Sequence, residues 1–329
     1  MNRLWPILSI LLLICACQDA PQPKAKETKK AKKRAVVPKF ERDSAYTYVN
    51  RQVEFGPRVP NSEAHTKCKN WMAQSLRNFG AKVIEQDFVA TAYTGVKLNS
   101  TNIIGSYNTE HSNRILLAAH WDSRPMADYD PDPQYQNQPV LGADDGASGV
   151  GVLLEVARLL QKHPIDLGID IIFFDAEDYG ESQSEDINSW CLGSQHWSRN
   201  PHVKGYKARF GILLDMVGSK NARFTKEETS MSFAPGVMDK VWKLGQNMGY
   251  GNYFVDDKTR MIIDDHLFIN RLTGIPTIDI INRPEGSSTG FGDYWHTHND
   301  DMDVIDKRTL RAVGQTVLAV LYRESDGTF

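Results

Sequence analysis

The chain has 329 residues, of which 41% are hydrophobic and 24% are charged, and its formal net charge is −3. This is ordinary globular composition, with enough apolar side chains for one large core or two smaller ones. From residue 40 onward, 39 acidic side chains outnumber 29 basic ones. That net charge of about −10 argues against nucleic acid as a partner.

The first 17 residues have the pattern of a secretion signal. Met1, Asn2 and Arg3 form a short positive leader, and the apolar run LWPILSILLLICAC continues to Cys17. The run is too short for a membrane span, and its end, ICAC, resembles a bacterial lipobox. We therefore expect an exported bacterial lipoprotein of the cell envelope, anchored through lipid on Cys17 to the periplasmic side of a membrane. Simple cleavage of the signal is the alternative.

Residues 18–39 are rich in Lys, Pro and Ala and have no apolar period. This composition indicates a disordered basic tether. The basic cluster at 29–34 would also suit nucleic acid, but a solvated stalk near an anionic membrane surface is the favoured interpretation.

After residue 40, helix-like and strand-like segments alternate. Helices are predicted over 41–55 and 62–79, and strands over 82–91, 100–107 and 114–120. A helix over 147–163, strands over 168–174 and 210–216, helices over 236–250 and 265–274, a strand over 275–281 and a helix over 306–324 complete the chain. This order predicts an α/β fold: a single globular catalytic domain, residues 40–329, with a mixed, largely parallel central sheet flanked by helices. The Pro-, Asp- and Gln-rich segment 125–142 is predicted to be a functional or mobile loop.

The chain has four cysteines, and they do not form a zinc-finger pattern. Cys15 lies in the signal and Cys17 is the expected anchor, which leaves Cys68 and Cys191 in an oxidising compartment. The sequence leaves open whether these two pair. Any metal site must therefore use carboxylates and histidines.

Polar groups that can bind a metal or move a proton follow each predicted buried strand. In FFDAEDYG, Glu177 and Asp178 are adjacent, and both can meet one ligand only if the backbone turns where the strand ends. Ligands of open α/β sheets bind beyond the carboxyl ends of the strands, and a mixture of His, Asp and Glu there is typical of zinc. The full set is His120, Asp122, Asp144, Asp145, Glu177, Asp178, Asp215, His296 and His298.

Six motifs in a fixed order carry a family resemblance: AHWDS, GADDGASGV, FFDAEDYG, LLDMVG, DDHLFINRLTGIP and YWHTHND. Together they resemble the zinc aminopeptidase-like α/β family, and within it the animal-type glutaminyl cyclases, which also occur in bacteria. The resemblance spans residues 41–325. It implies a glutaminyl-peptide cyclotransferase that acts on N-terminal glutamine of peptides and proteins, and we expect a monomer with one zinc ion.

The resemblance also implies residue roles. Asp145, Asp178 and His296 would bind the zinc, with Asp144 as the alternative to Asp145. Asp178 is one methylene shorter than the Glu that relatives often have at that position. Glu177 would be the general acid and base, and Asp215 and Asp264 would lie near the zinc and share a hydrogen bond. Trp295 would line the substrate pocket, as would Trp190 by a looser match; for both, packing in the core is the alternative. His266 and His298 are left out of the metal set.

A two-zinc aminopeptidase of the same fold remains the main alternative. Such enzymes use the His and Asp that stand here as His120 and Asp215, but typically have Ser-Asp-His where this chain has Asp264–Asp265–His266. An added carboxylate beside Asp215 favours a shared proton, which makes a poorer metal ligand. The cyclase is therefore favoured, with His120 beside the site rather than on the metal, and Asp122 is expected to orient His120 or the strand end. A binding domain that has lost its chemistry is disfavoured because the expected ligands and Glu177 are all present.

Overall fold

The computed structural model describes residues 34–329. The predicted signal and lipid anchor, and all of the predicted tether up to residue 33, lie outside the described residues. Within residues 34–329, no helix combines the length and apolar character that a membrane crossing needs.

Within the described residues, eight strands form two sheets. The strands are β1 (Lys82–Thr91), β2 (Lys97–Tyr107), β3 (Arg114–His120), β4 (Gly168–Phe174), β5 (Gly211–Asp215), β6 (Phe224–Glu227), β7 (Phe254–Thr259) and β8 (Thr277–Ile281). The central sheet has the order β1-β2-β4-β3-β5-β8, and β6 pairs with β7 in a small second sheet. In the central sheet β1 and β2 are antiparallel neighbours at one edge, while β4, β3, β5 and β8 are parallel to one another. The carboxyl ends of these four strands therefore meet along one edge of the sheet.

In the part of the chain that the structure describes, eight α-helices cover the central sheet. They are α1 (Arg42–Glu54), α2 (Glu63–Asn78), α3 (Ala147–Lys162), α4 (Leu192–Arg199), α5 (Glu228–Phe233), α6 (Pro235–Gly245), α7 (Asp265–Thr273) and α8 (Lys307–Asp326). Because side chains alternate along a strand, β3 contributes apolar side chains to the cores on both faces of the central sheet. Its Ile115 and Leu117 pack in the larger core with α1, α3 and α8, while Leu116 and Ala118 pack with Trp197 of α4 and the α7 side.

Close packing of α3 on the sheet depends on glycine. A Cβ atom at Gly149 would lie 2.2 Å from the carbonyl oxygen of Leu214. A larger residue would push α3 away from β5, and with it the turn that precedes α3 at the carboxyl edge of the sheet.

A buried ionic network lies at the opposite end of β4. Asp170 accepts hydrogen bonds from Ser106 (2.6 Å), from Arg114 (2.8 Å from both Nε and Nη2) and from Tyr206 (2.7 Å). Burial alone would raise the pKa of Asp170, but hydrogen bonds from His202, Arg114 and Ser106 outweigh it and hold the pKa well below its usual value. The network joins β2, β3 and β4 far from the polar edge of the sheet.

The predicted α/β class and mixed sheet are confirmed, and the strands over 82–91, 114–120 and 168–174 have the predicted bounds. The predicted helix over 236–250 ends at Gly245, after which a π-helical turn reaches residue 250 with Gly249 at φ +88°. Helices α4 and α5 and the small sheet of β6 and β7 were not predicted.

Residues 35–39, the end of the predicted tether, lie against α8. The Ala35 amide donates to Asp326 at 2.7 Å, and the Pro38 carbonyl accepts from Gln315 at 3.0 Å. Phe40 follows and is fully buried beneath Gly314.

Candidate active site and metal centre

The predicted site residues meet at the carboxyl edge of the parallel strands. His120 is the last residue of β3 and Asp215 the last of β5. Glu177 and Asp178 follow β4 by three and four residues, Asp145 precedes α3, and His296 lies in the long segment after β8. The topology thus brings together side chains that are as much as 176 positions apart in the chain.

Asp145, Asp178 and His296 form a buried cluster that could hold a metal ion. One ligand atom from each lies within 4.8 Å of the others. His296 Nε2 is 3.1 Å from Asp178 Oδ1 and 4.0 Å from Asp145 Oδ2. Asp178 Oδ2 is buried and has no hydrogen-bond partner among the described residues, which an ion between the three side chains would supply.

The neighbours of this cluster orient its members. The other ring nitrogen of His296, Nδ1, lies 3.2 Å from Asp128, whose carboxylate is held by Arg124. Such a carboxylate behind a histidine fixes the ring orientation in metal sites. Arg124 also donates to the backbone carbonyl of Asp178 at 3.0 Å and of Gly180 at 2.8 Å.

Two buried aspartates hold the turns that carry the site. Asp122 accepts hydrogen bonds from the amides of Glu177 (3.0 Å) and Asp178 (3.1 Å). Asp300 likewise accepts from the amides of Asp144 (2.8 Å) and Asp145 (3.0 Å). Each carboxylate therefore fixes two consecutive residues, so that adjacent acids point in defined and different directions.

The structure distinguishes Asp144 from Asp145. Asp144 accepts from the Gly218 amide at 2.7 Å and from the Tyr294 hydroxyl, so both of its oxygens are engaged away from the cluster. Asp145 faces His120 and His296. Asp145 is the residue positioned as a ligand.

Strained backbone surrounds the cluster. Ala176, Cys191, Met216 and His296 have φ between +44° and +56°, a region that residues other than glycine rarely adopt. Each such residue costs about 1–3 kcal/mol and persists only where surrounding contacts enforce it. Ala176 precedes Glu177 and Met216 follows Asp215, so the strain marks the points where β4 and β5 deliver their acids.

A second possible metal cluster adjoins the first. His120 Nε2 lies 3.0 Å from Asp145 Oδ1 and 3.2 Å from Asp215 Oδ1, and these three residues could also hold an ion. His120 Nδ1 is 3.5 Å from Asp122 but makes no hydrogen bond within the described residues, so Asp122 orients the turn after β4 rather than the His120 ring.

The predicted proton-transfer residue, Glu177, lies beside both clusters. Burial raises the pKa of Glu177 well above its ordinary value; His120 opposes the rise, and Asp264 and Asp178 add to it. The Cys191 thiol donates to Glu177 Oε1 at 3.1 Å, and the Cys191 amide donates to the Glu177 carbonyl at 3.0 Å. Cys191 and Cys68 are both free thiols, so they form no disulfide.

Asp264 forms the far side of the same region. Burial raises its pKa, and Asp279 lies beside it, since Asp264, His266 and Asp279 offer ligand atoms within 4.8 Å of one another. The pKa of Asp215 is raised mainly by burial; the His120 hydrogen bond lowers it, and the charges of Asp145 and then Asp264 raise it further. The shared proton between Asp215 and Asp264 stays a prediction. Asp264 Oδ2 is buried and, among the described residues, has no hydrogen-bond partner.

Buried carboxyl groups crowd the site. Six carboxylates take part in the possible metal groups: Asp145, Glu177, Asp178, Asp215, Asp264 and Asp279. Burial raises the pKa of all of them except Asp145, whose pKa is lowered despite burial because His120 lies beside it. A divalent cation is the charge that compensates such a group most directly.

A cavity of about 310 Å³ opens onto these groups. Its polar side is formed by Asp145, Glu177, Asp178, Asp215, Asp264 and His296, and its apolar walls include Trp190, Trp295, Phe291, Ile262, Met216 and Ile281. Trp295 stacks on the His296 ring with 3.6 Å between centroids, and the Trp190 ring lies 6.0 Å from the His296 ring. The structure therefore places both tryptophans at the cavity.

Several neighbours of the site have no recognisable sequence signal. Asp128, Cys191, Phe291 and Asp300 become visible only through their contacts. The two histidines left out of the metal set have other partners: His298 pairs with Asp130, and His266 lies 3.1 Å from Glu227.

Fold and site together define a metallopeptidase-like α/β protein, and the chain belongs to Peptidase family M28, whose model matches residues 102–321. The expected resemblance to the zinc aminopeptidase-like family is thereby confirmed.

The chain is similar to glutaminyl cyclases and to an aminopeptidase precursor. A crystal structure of Bacteroides thetaiotaomicron glutaminyl cyclase bound to N-acetylhistamine is 57% identical, with a TM-score of 0.85, and the match covers 87% of this chain and 99% of that one. A leucine aminopeptidase precursor from Bacteroides thetaiotaomicron is also 57% identical, with a TM-score of 0.84 over 87% of this chain and 98% of that one. Glutaminyl-peptide cyclotransferase of Drosophila melanogaster is 28% identical over 277 residues, covering 77% of this chain and 73% of the relative.

Proposed function

We propose that this chain is a glutaminyl-peptide cyclotransferase, which converts N-terminal glutamine of peptides and proteins to pyroglutamate with release of ammonia. The observation that carries the proposal is the shared cavity: the predicted ligands, Glu177 and two tryptophans all line one space of about 310 Å³. Its similarity to glutaminyl cyclases of known structure supports the same activity.

Asp145, Asp178 and His296 would hold one zinc ion. Zinc accepts both carboxylate oxygen and imidazole nitrogen, and the three side chains offer those donors within 4.8 Å of one another. The buried, unpartnered Asp178 Oδ2 fits the same assignment. When bound, zinc supplies Lewis acidity that polarises the γ-amide carbonyl of the substrate glutamine.

Glu177 moves the proton. The α-amino nitrogen of the glutamine forms a bond to its own γ-carbonyl carbon, and the bond from that carbon to the amide nitrogen breaks. Glu177 takes a proton from the attacking amine and delivers it to the leaving nitrogen, which departs as ammonia. Because the nucleophile belongs to the substrate, no activated water is needed.

Asp264 and the aromatic walls position the glutamine. Asp264 lines the cavity, and its buried Oδ2 has no hydrogen-bond partner among the described residues. This carboxyl group would accept a hydrogen bond from the leaving amide nitrogen. Trp295 and Trp190 hold the side chain folded toward its own amine, which lowers the entropic cost of ring closure.

A two-zinc aminopeptidase is the second candidate, because His120, Asp145 and Asp215 form a further possible metal group. Two measurements separate the candidates on purified protein that starts at residue 34. A cyclotransferase with one zinc per chain converts a glutaminyl peptide to pyroglutamate and ammonia. Two zinc ions per chain and release of leucine from leucyl amide would establish the aminopeptidase instead, and inactivity toward both substrates would contradict either enzyme.

Replacement of Glu177 tests its role directly. We expect Glu177→Gln to bind zinc as the wild type does and to lose turnover by at least about 10²-fold, because the amide cannot move the proton. Zinc content by atomic absorption and ammonia release are the readouts. Loss of zinc in this variant would show that Glu177 is a metal ligand and would contradict the assignment.

Export as a lipoprotein completes the proposal, on the support of the N-terminal sequence alone. The lipid-modified residue is Cys17, and the substrates are then exported peptides and proteins. In a bacterial host, Cys17→Ser should release the protein from the membrane fraction, and an unchanged distribution would contradict the anchor.

A further inference from the structure

Arg283 lies two residues after β8 and lines the same cavity as Glu177. Its guanidinium carbon is 4.5 Å from the centroid of the Phe291 ring. Its Nε and Nη1 atoms are buried and have no hydrogen-bond partner within residues 34–329. A guanidinium group has five N–H donors, so this side chain borders the cavity with donors that no group of the described chain satisfies.

The charge of Arg283 is also unpaired in the described chain. The neighbouring Arg223 forms salt bridges with Asp257 and Glu285, whereas Arg283 takes part in none. Burial lowers the pKa of Arg283, and the charges of Asp279 and Glu227 oppose this without direct contact. An arginine in this state gains free energy when an anion reaches it.

The position of the guanidinium group is fixed by its surroundings. Gly290 has φ +84°, and a Cβ atom there would lie 2.6 Å from Arg283 Nη2. The Gly290 backbone and the Phe291 ring thus both lie close to the group and restrict its rotamers, which lowers the conformational entropy lost on binding.

Arg283 also lines an adjoining surface depression of about 660 Å³. Four basic side chains border this depression: Arg223, Lys258, Arg260 and Arg283. The acidic side chains there are Asp257 and Glu285. Arg283 therefore belongs to the lining of both spaces, and the depression has more basic than acidic side chains.

We propose that Arg283 binds a carboxylate of the residue that follows the N-terminal glutamine. The carboxylate is either the C-terminal group of a glutaminyl dipeptide or the side chain of Asp or Glu in a longer peptide. The inference rests on the proposed function, since it requires the glutamine to occupy the Glu177 end of the cavity. Arg283 then offsets the repulsion between an anionic substrate and the carboxylates of the site, and it acts as a specificity-determining residue.

Three substrates test the inference: glutaminyl-alanine, its amide, and glutaminyl-glutamic acid α-amide. For the wild-type protein we expect kcat/KM about tenfold higher for a peptide with the carboxylate than for glutaminyl-alanine amide, as a charge-assisted hydrogen bond allows. Preference for the dipeptide identifies the C-terminal group, and preference for the glutamyl amide identifies the side chain. Arg283→Gln should abolish the preference, and Arg283→Lys should retain part of it.

Arg223→Gln is the matched control, because Arg223 lies nearby but its charge is already paired. This variant should keep the wild-type preference. A ratio between two substrates is insensitive to partial loss of folded protein. Equal kcat/KM for all three peptides in the wild type, or an unchanged ratio in Arg283→Gln, would overturn the inference.

A binding measurement tests the role of Arg283 even if no peptide is turned over. Calorimetric titration with pyroglutamyl-alanine and with its amide should show about tenfold tighter binding of the acid to the wild type, and equal binding to Arg283→Gln. Absence of turnover with this binding preference intact would refute the cyclotransferase alone. Turnover of glutaminyl-alanine amide, with no preference for a carboxylate in either the kinetic or the calorimetric assay, would refute the role of Arg283 and leave the cyclotransferase standing.

Discussion

Asp122→Asn is the most informative single change, because Asp122 touches neither the cavity nor the predicted ligand atoms directly. Its two carboxylate oxygens accept the amides of Glu177 at 3.0 Å and Asp178 at 3.1 Å, and the residue is fully buried. An asparagine at this position keeps one acceptor and turns an NH₂ group toward the other amide. One charge-assisted bond is weakened, and one buried N–H loses its partner.

The cost follows from these two contacts. Each change costs about 1.5 kcal/mol, a value toward the lower end of the range for charge-assisted bonds and for unpaired buried donors. The free energy of unfolding should therefore fall by about 3 kcal/mol. Because the affected turn carries Asp178, zinc affinity should also fall by about 10–100-fold, as it does when groups behind metal ligands are removed.

Urea unfolding in the presence of a chelator measures the stability without the contribution of bound metal. Competition with a chromophoric chelator measures zinc affinity. Asp132→Asn is the control, because Asp132 accepts the Gln134 amide at 3.0 Å on the surface, and the same substitution there should change stability by less than about 0.5 kcal/mol. If Asp122→Asn matches this control in both measurements, Asp122 does not hold the turn.

Two further predictions concern Cys191 and Asp170. Cys191→Ala should lower kcat about threefold to tenfold with little change in KM, because the thiol at 3.1 Å orients the Glu177 carboxylate. Cys191→Ser should restore most of the loss, since its hydroxyl can donate the same hydrogen bond. Equal impairment of both variants in steady-state kinetics would contradict an orienting role. Asp170→Asn should lower the free energy of unfolding at pH 7. Because the pKa of Asp170 is depressed in the folded state, its contribution is fully present above the unfolded-state pKa of about 4 and is lost as the pH falls through the folded-state pKa. The difference between wild type and variant in urea unfolding with a chelator should therefore shrink below about pH 4, and a difference that is constant from pH 3 to 7 would refute the linkage.

Segments with strong apolar patterns could be predicted from the sequence, and weakly patterned ones could not. The run RILLAAH became β3 with the predicted bounds because its five consecutive apolar residues, ILLAA, favour a buried central strand. The strand β6 has only four residues, FTKE, and α5 has only six, so local propensity is too weak to define them. Their structure comes from packing: the Phe224 ring is buried against Phe254 of β7.

The sequence by itself determined the α/β class and the order in which metal-binding side chains follow buried strands, because hydrophobic periodicity and strand ends are local properties. Tertiary structure alone decided which way neighbouring acids point. Asp144 and Asp145 are chemically identical in the sequence, and the distinction arises because Tyr294 and Gly218 engage one while His120 and His296 face the other. Contacts between residues far apart in the chain likewise brought Cys191 to Glu177 and left Arg283 without an acidic partner in the described chain, since such contacts depend on the packing of loops whose direction no local pattern specifies.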